Sequence, residues 1–557
     1  MDANIWIQQY DPFGFWVVST LVAALPLVVL LGLLITGKAN AWQSAWAGLV
    51  TAIVVATLAF GMPVDLAARA TLVGAVFSLF RIIWLITGAV FLYDIAVETG
   101  QFEVMKASIA SLSGDRRIQA VLVAFSFGAF IEGAAGFGAP VAISAAFLVG
   151  LGFKPFQAAV LCLVANTAPV AWGGLGTPIR TLGAVTSLDV EAISAVSGRI
   201  LPPVSLIIPI WLVAMIAGVR GALGIAPALA VIGGVFAAVQ WYWSNHVGFE
   251  LVDIVSSLSS LIAAVVLLKF WKPRHEWKFP HDEAVETVAV SISNRKIARA
   301  WAPFVILTIM VMIWGVPGVK KRLAEHGDLK TPMAGLHKVV AKGEALSGRA
   351  TPDPKKDLED AFLDIAPVSS TGTATMIAAV ISGLYLGLRP ARLVRMFGHT
   401  LYRLRPAFAA ILGMLCLGYI TKYAGMDAVL GLAMTRTGST FYPVFAALLG
   451  WLGVALTGSD TASNVLFGNL QVITAEKLGL SPLLMASANT TGGVMGKMID
   501  AQSIVVAAAA TGEHGQEGPI LRAVLLHSII LALIVGGIVW LYAHVFPGIV
   551  ALHTISG

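Results

Sequence analysis

The sequence predicts an all-α polytopic membrane protein made of two inverted repeats, each carrying a re-entrant helical hairpin and a broken transmembrane helix. Three observations predict this. Of 557 residues, 58% are hydrophobic and only 12% charged, where an average soluble domain carries roughly 25% charged residues. Apolar windows of roughly 20 residues, the length of one bilayer crossing, recur along the chain. Finally, two polar, glycine-rich tips occupy corresponding places in the two halves: Glu132-Gly133-Ala134-Ala135-Gly136-Phe137-Gly138-Ala139-Pro140 and Thr457-Gly458-Ser459-Asp460-Thr461-Ala462-Ser463-Asn464. Each tip lies between apolar arms too short to cross a bilayer alone. Each is followed by a Leu-Gly-x-x-Pro turn (Leu151 to Pro155; Leu478 to Pro482) and a helix expected to break at Ala-Asn-Thr, at Ala165-Asn166-Thr167 and Ala488-Asn489-Thr490. Short or interrupted apolar segments paired in this way point to the binding site of a secondary transporter.

In chain order, the N-terminal membrane half, 1–271, has spans near 13–36, 41–60 and 71–95, then a hairpin over 118–151 with arms 118–131 and 138–151. A broken helix at 156–186 and spans near 200–217, 222–243 and 251–271 complete it. A cytoplasmic basic loop, 272–299, a linking span, 300–316, and an external polar loop, 317–366, lead into the C-terminal half, 367–557. There the spans are 371–388 and 400–420, followed by a hairpin over 441–477 (arms 441–456 and 463–477), a broken helix at 481–511 and a last span near 519–545. No signal peptide is expected, because Met1-Asp2-Ala3-Asn4 lacks a basic segment. Phe102 to Leu112 and the basic segment 390–400 are amphipathic enough to lie flat on the membrane. The loop 318–365, with Pro332, Pro352, Pro354 and the run Asp353-Pro354-Lys355-Lys356-Asp357, reads as a solvated, partly disordered linker with at most a short helix.

Positive charge in short loops sets orientation. Arg389, Arg392, Arg395, Arg403 and Arg405 stand together without an acid and mark a cytoplasmic loop. Parity then places Lys269 to Arg299, Arg220, Lys154, Lys106, Arg116, Arg117 and Lys38 inside too, with both chain ends outside. The two hairpins therefore enter from opposite sides, the order an inverted repeat requires.

Non-helical backbone at membrane depth is tolerated only inside protein or facing water. Glycines such as Gly133 and Gly136 let a ligand approach the backbone, and helix starts at a tip or break offer free N–H groups that favour an anion. Asn166, Thr167, Ser459, Thr461, Asn464, Asn489, Thr490 and Thr491 add neutral donors and acceptors, and Lys497, with Asp500 three residues on, is placed to face a substrate carboxylate or to neutralise an acid. These residues are the expected substrate contacts. Glu132 and Asp460, acids on desolvated tips, are the expected proton carriers. For each acid the alternative is a carboxylate that only braces the tip through backbone N–H groups. For Lys497 it is snorkelling to the interface. Arg180 fits an interfacial role, His527 a hydrogen-bonded packing role, and Arg81 and Asp94 need partners or water. Trp6, Trp42, Trp46, Trp241 and Trp243 read as interfacial aromatics. Cys162 and Cys416 form neither a disulfide framework nor a metal motif.

Several strings resemble the bacterial L-lactate permease family over nearly the whole chain. They begin at Gln9-Tyr10-Asp11-Pro12 and include Phe127-Gly128-Ala129-Phe130-Ile131 running into the first tip, then Gly150-Leu151-Gly152-Phe153-Lys154-Pro155 and Asn166-Thr167-Ala168-Pro169-Val170. The second half adds Gly450-Trp451-Leu452-Gly453, Thr457-Gly458-Ser459-Asp460, Ala488-Asn489-Thr490-Thr491-Gly492-Gly493, Gly496-Lys497-Met498-Ile499 and Gln502-Ser503. The resemblance implies a proton-coupled symporter of 2-hydroxy monocarboxylates (L-lactate, D-lactate, glycolate) in the bacterial cytoplasmic (inner) membrane. It also implies kinship with transporters built of inverted halves with re-entrant hairpins. The chain departs from the family pattern at Asp500-Ala501, where Ser-Pro is expected, at the basic Arg405 and Lys422, and across 318–365.

The partners expected are a 2-hydroxy acid anion, protons and the lipid bilayer, with no cofactor, no metal and no nucleic acid; homo-oligomer formation stays open. A sodium-coupled carboxylate transporter is the nearest alternative, since Asn and Thr oxygens at helix breaks also hold Na⁺. A receptor would bind without flux. An enzyme is not expected: the sequence holds no HExxH, no GxSxG and no P-loop.

Overall fold

The computed structural model describes every residue except 1–4, 36–38, 135, 137–138, 280–292, 350, 354–356, 514–515 and 552–557. Several sequence readings fall on those positions: the first four residues, Lys38, the tip residues Ala135, Phe137 and Gly138, part of the basic loop, and Pro354-Lys355-Lys356.

The fold is mostly helical, with eleven helices long and apolar enough to span a membrane among the described residues, or twelve with one bent pair included. Spans α1 (Trp16–Ile35), α2 (Trp42–Ala59) and α3 (Val64–Glu98) come first, then the amphipathic α4 (Gln101–Ala110). The first hairpin is α5 (Arg116–Ala134) and α6 (Ala139–Gly150). The first broken helix is α7 (Pro155–Ala165) and α8 (Gly173–Thr186), whose limbs bend by 67°. Next come α9 (Val190–Ile200), α10 (Pro202–Gly224), α11 (Ala226–His246), α12 (Val252–Phe270) and α13 (Asn294–Gly315). Beyond the polar segment lie α14 (Pro317–Gly327), α15 (Glu344–Ser347), α16 (Thr371–Tyr385), α17 (Pro390–Ala424) and α18 (Met426–Met434). The second hairpin is α19 (Gly438–Thr457) and α20 (Asp460–Leu478), the second broken helix α21 (Pro482–Gly496) and α22 (Ala501–Thr511), and α23 (Glu517–His544) is the last span.

The hairpins lie where the composition requires. Every residue of the apolar window in α5 is buried, against 22% in α1. An arm that ends at membrane depth must be wrapped in protein, because its free backbone groups have no water there. The hairpins also cross over between halves. The return arm α6 packs on α22, and the return arm α20 packs on α8.

Four expectations are corrected. Helix α21 does not break at Ala488-Asn489-Thr490; it runs to Gly496, and the break follows at 497–500, where Asp500 caps α22 by accepting from the Ser503 N–H at 2.7 Å. Asn489 and Thr490 bond to side chains of other helices, which leaves the backbone ladder of α21 intact. Helix α4 does not lie on lipid: Phe102, Met105 and Ile109 are buried, with Tyr93 and Phe127 ringing Phe102. The basic segment 390–400 is not a separate surface helix but the start of the 35-residue α17, opened by Pro390 and closed by left-handed Gly425 (φ +80°). Its charges meet α3, through Arg403–Asp94 at 2.6 Å and Arg392–Glu98.

The polar loop is a folded cap. Strand β2 (Leu329–Pro332) pairs antiparallel with β4 (Phe362–Ile365), and β1 (Trp6–Ile7) pairs parallel with β3 (Val340–Ala341). Gln8 ties this cap to the end of α17 by donating to the carbonyls of Lys422 and Tyr423. Asp364, on β4, accepts from Arg81 in a two-bond fork, which explains the arginine in a span.

Candidate functional site

The two tips meet at one cavity of about 100 Å³, several times the roughly 10–15 Å³ that one water needs. Its wall contains Glu132 and Gly136 from the first hairpin, and Ser459, Asp460 and Thr461 from the second. Lys497 and Gln502 come from the second break, and Gly173, Gly174, Thr177 and Pro178 from the first.

Each piece is placed by local chemistry. A seven-residue π-helical stretch, Val121–Phe127, leads α5 into the tip. In α8, Gly174, Leu175 and Gly176 all have left-handed backbones, so the chain reverses before the regular helix resumes. The second tip turns at Gly458 (φ +73°), and the Ser459 hydroxyl caps α20 by accepting from the Ala462 N–H. The starts of α8, α20 and α22 therefore reach the cavity wall, and each brings the positive end of a helix dipole.

The two acids occupy equivalent notches. A Cβ on Gly173 would lie 2.5 Å from Glu132 Oε1, and one on Gly493 would lie 2.3 Å from Asp460 Oδ1. Each tip carboxyl thus fits a gap that only glycine leaves in the broken helix of its own half. Both acids are buried. Glu132 Oε2 and Asp460 Oδ1 meet no hydrogen-bond donor among the described residues.

Lys497 does not snorkel. It is buried, donates to the Gly458 carbonyl at 2.6 Å and pairs with Asp500 at 3.1 Å. The departure Asp500-Ala501 is thereby explained locally, since Asp500 both caps a helix and holds the lysine.

Of the expected substrate contacts, Gly136, Ser459, Thr461 and Lys497 line the cavity, as do both expected proton carriers. The others stand behind the wall. Gly133 abuts Asp253 and Ile254. Asn166 ends α7 close to the Glu132 carboxyl, although no well-formed hydrogen bond joins them. Thr167 and Thr491 bond back to their own helices.

Asn464, Asn489 and Thr490 belong to one buried chain. Thr490 donates to Asp460, and Asn464 donates to Thr490 (3.1 Å) and to the Pro178 carbonyl (3.2 Å). Asn489 donates to Asn464 (2.9 Å), Gln471 to Asn489 (3.1 Å), and Tyr442 to Gln471 (2.7 Å). Sequence reading missed Gln471 and Tyr442, for which the sequence holds no local signal. It also left out Gly173 to Pro178, whose glycine run was visible, and Gln502.

Other charges have structural partners. Arg180 pairs with Glu250 at 3.0 Å, donates to Thr371 and lies over the Phe249 ring. His527 accepts from Trp211 at 3.1 Å. Both cysteines are free and buried.

A site of this kind holds one ammonium, two tip carboxyls and several helix starts around space for a few heavy atoms. A family profile described as L-lactate permease matches residues 19–546, which includes the polar cap. The chain is 42% identical to the glycolate permease GlcA of Escherichia coli K12 over 98% of this chain and 99% of that one. It is 43% identical to an L-lactate permease of Salmonella typhimurium and 41% identical to one of Bacillus subtilis, each over 97% of this chain and 99% of the relative. Among solved structures, the YdaH transporter of Alcanivorax borkumensis aligns at a TM-score of 0.44 and 13% identity, over 84% of this chain and 86% of that one.

Proposed function

The chain belongs to the L-lactate permease family, and from that premise we propose that it carries L-lactate, with related 2-hydroxy monocarboxylates such as glycolate and D-lactate, inward together with protons. It is a multi-pass protein of the bacterial cytoplasmic membrane.

The observation that carries the proton-coupled reading is the charge count at the cavity. Among the described residues that line the cavity, Glu132 and Asp460 face one cation, Lys497, which Asp500 already partners. A substrate carboxylate entering with both tip acids ionised would add a further negative charge among buried groups, where the charges repel more strongly than in bulk water. A proton on either tip removes that conflict, so anion and proton bind together or not at all. Lys497 and the helix starts hold the carboxylate, Ser459 and Thr461 offer partners for the 2-hydroxyl, and Gly136 and Gly173 keep the walls close. The crossed packing of α6 with α22 and of α8 with α20 supports a reading of the halves as inverted repeats.

The test is uptake of labelled L-lactate into proteoliposomes under an inward proton gradient in sodium-free buffer. Accumulation that collapses with an uncoupler is the expected result. Uptake that needs sodium and ignores the gradient overturns proton coupling, and binding without flux overturns transport.

A further inference from the structure

One buried acid takes no part in the site described so far. Asp253 stands in the first turn of α12 and is 1% exposed. Neither of its carboxyl oxygens meets a hydrogen-bond donor among the described residues. It lies against the first hairpin: a Cβ on Gly133 would come 2.7 Å from Asp253 Cβ and 3.0 Å from the Ile254 nitrogen. Asp253 therefore touches the residue next to Glu132, and the lining of the cavity does not include it.

Its surroundings hold little other charge. The elements packed closely on α12 are α11, α5 and α8. From α5 the neighbour is Glu132, because Arg116 and Arg117 sit at the opposite end of that arm, bound to Gln119 and Asp115. From α8 it is Arg180, held by Glu250. From α11 it is His246, which is exposed and stacks on Trp241 and Tyr242. Glu250 lies three residues before Asp253 and keeps 18% of its side chain exposed. The three acids thus form a graded series. Glu250 is reached by water, Asp253 is sealed, and Glu132 borders the cavity.

A sealed carboxyl with no donor is costly unless a cation meets it, and intramembrane acids of this kind mark ion or proton routes. We infer that Asp253 is a protonation site on the route by which the proton reaches Glu132, separate from the path of the anion. In the transfer, an O–H bond on Asp253 breaks as one forms on Glu132, directly or across a water. Asp253 is left as the carboxylate and is reprotonated from the Glu250 side. The inference rests on the proton-coupled reading of the cavity.

The experiment compares two transport modes of the full-length protein in proteoliposomes: accumulation driven by an inward proton gradient, and exchange of labelled for unlabelled L-lactate at equal pH. In Asp253→Asn, accumulation should fall by about tenfold or more while exchange stays within about twofold, the pattern of a lost proton donor and an intact binding site. Asp253→Ala serves as the second variant; it removes the carboxyl and keeps the Cβ that lies against Gly133, so a packing fault caused by the amide of the first variant does not decide the result. Wild-type accumulation by either variant overturns the inference. Loss of both modes in both variants also overturns it, because the residue is then structural. A wild-type protein that shows no gradient-driven accumulation overturns the functional reading itself, before any variant is made.

Discussion

The two halves build the same notch around a tip acid and finish it differently. In the second half, Asp460 is held by Thr490, which leads into a chain through Asn464, Asn489, Gln471 and Tyr442, and Lys497 is fixed between Gly458 and Asp500. One oxygen of each tip acid is unmet, but in the first half Asn166 beside Glu132 also makes no well-formed bond, and neither oxygen of Asp253 behind it meets a donor among the described residues. The helix of the first half also opens wider. Seven residues separate α7 from α8, against four between α21 and α22. A wired half and an unwired half around one cavity suggest a division of labour: the second holds the anion's geometry, and the first handles the mobile charge. A polar network with more of its bonds made is more rigid, whereas one with fewer is poised to take up what it lacks.

The largest test of this contrast is Lys497→Met. It leaves Asp500 buried without its cation, a loss of about 3–5 kcal/mol of stability when one partner of a buried pair is removed, and it should abolish L-lactate uptake. Adding Asp500→Ala should restore part of the stability, read by thermal unfolding in detergent, and none of the transport. Uptake at the wild-type rate by Lys497→Met would break the assignment of the second half.

Next come the acids themselves. Asp460→Asn and Glu132→Gln should each cut proton-driven accumulation by about tenfold or more, with the protein still folded. The contrast adds a finer expectation. Asp460→Asn disturbs the acceptor to which Thr490 and its chain are bonded and should lower the melting temperature, whereas Glu132→Gln should leave it unchanged or raise it. Normal accumulation by either variant would remove that acid from the coupling role.

A smaller effect separates the threonines. Thr490→Val takes a donor from Asp460 and an acceptor from Asn464, worth roughly 1–3 kcal/mol. Thr167→Val removes only a bond back to the Val164 carbonyl and should cost less than about 1 kcal/mol. Equal losses in unfolding would erase the asymmetry.

The smallest test lies outside both halves and serves as a control. In the cap, the Asp353 N–H and the Arg349 guanidinium bind Asp357 and hold its carboxyl below the ordinary aspartate range. A lowered value means that this contribution is present above about pH 4 and is lost as pH falls through the lowered value. Asp357→Asn should weaken protection of the Asp353 amide at pH 6, and the difference from wild type should shrink as pH falls through the lowered value, while L-lactate uptake at neutral pH stays unchanged.

Much of this arrangement was legible in the residues. The two tips, the Leu-Gly-x-x-Pro turns and the placement of Glu132, Asp460, Ser459, Thr461 and Lys497 follow from polar groups set within apolar text, a rare and costly pattern. The second break was placed seven residues early because Asn489 and Thr490 look like helix breakers. In the fold their side chains bond to other helices and leave the backbone alone. The flat helix at 102–112 was misjudged because an amphipathic face reads alike whether lipid or protein covers it. Gln471 and Tyr442 were invisible, since their role comes from pairings across helices. Asp253 was readable as a lone acid in Val252-Asp253-Ile254-Val255 and was passed over because it stands near a span's end.

The crossed packing has a consequence for how the protein is made. The return arm α6 is complete at residue 150, but its partner α22 begins at residue 501. At ~5–20 residues per second, the ribosome needs roughly 20–70 s to cover the roughly 350 residues between them. For that time the return arm has only its own half to pack on, α7 and α5, and lacks the surface that α22 later supplies. A stalled or truncated chain would leave that face of the arm uncovered, which marks it for proteolysis.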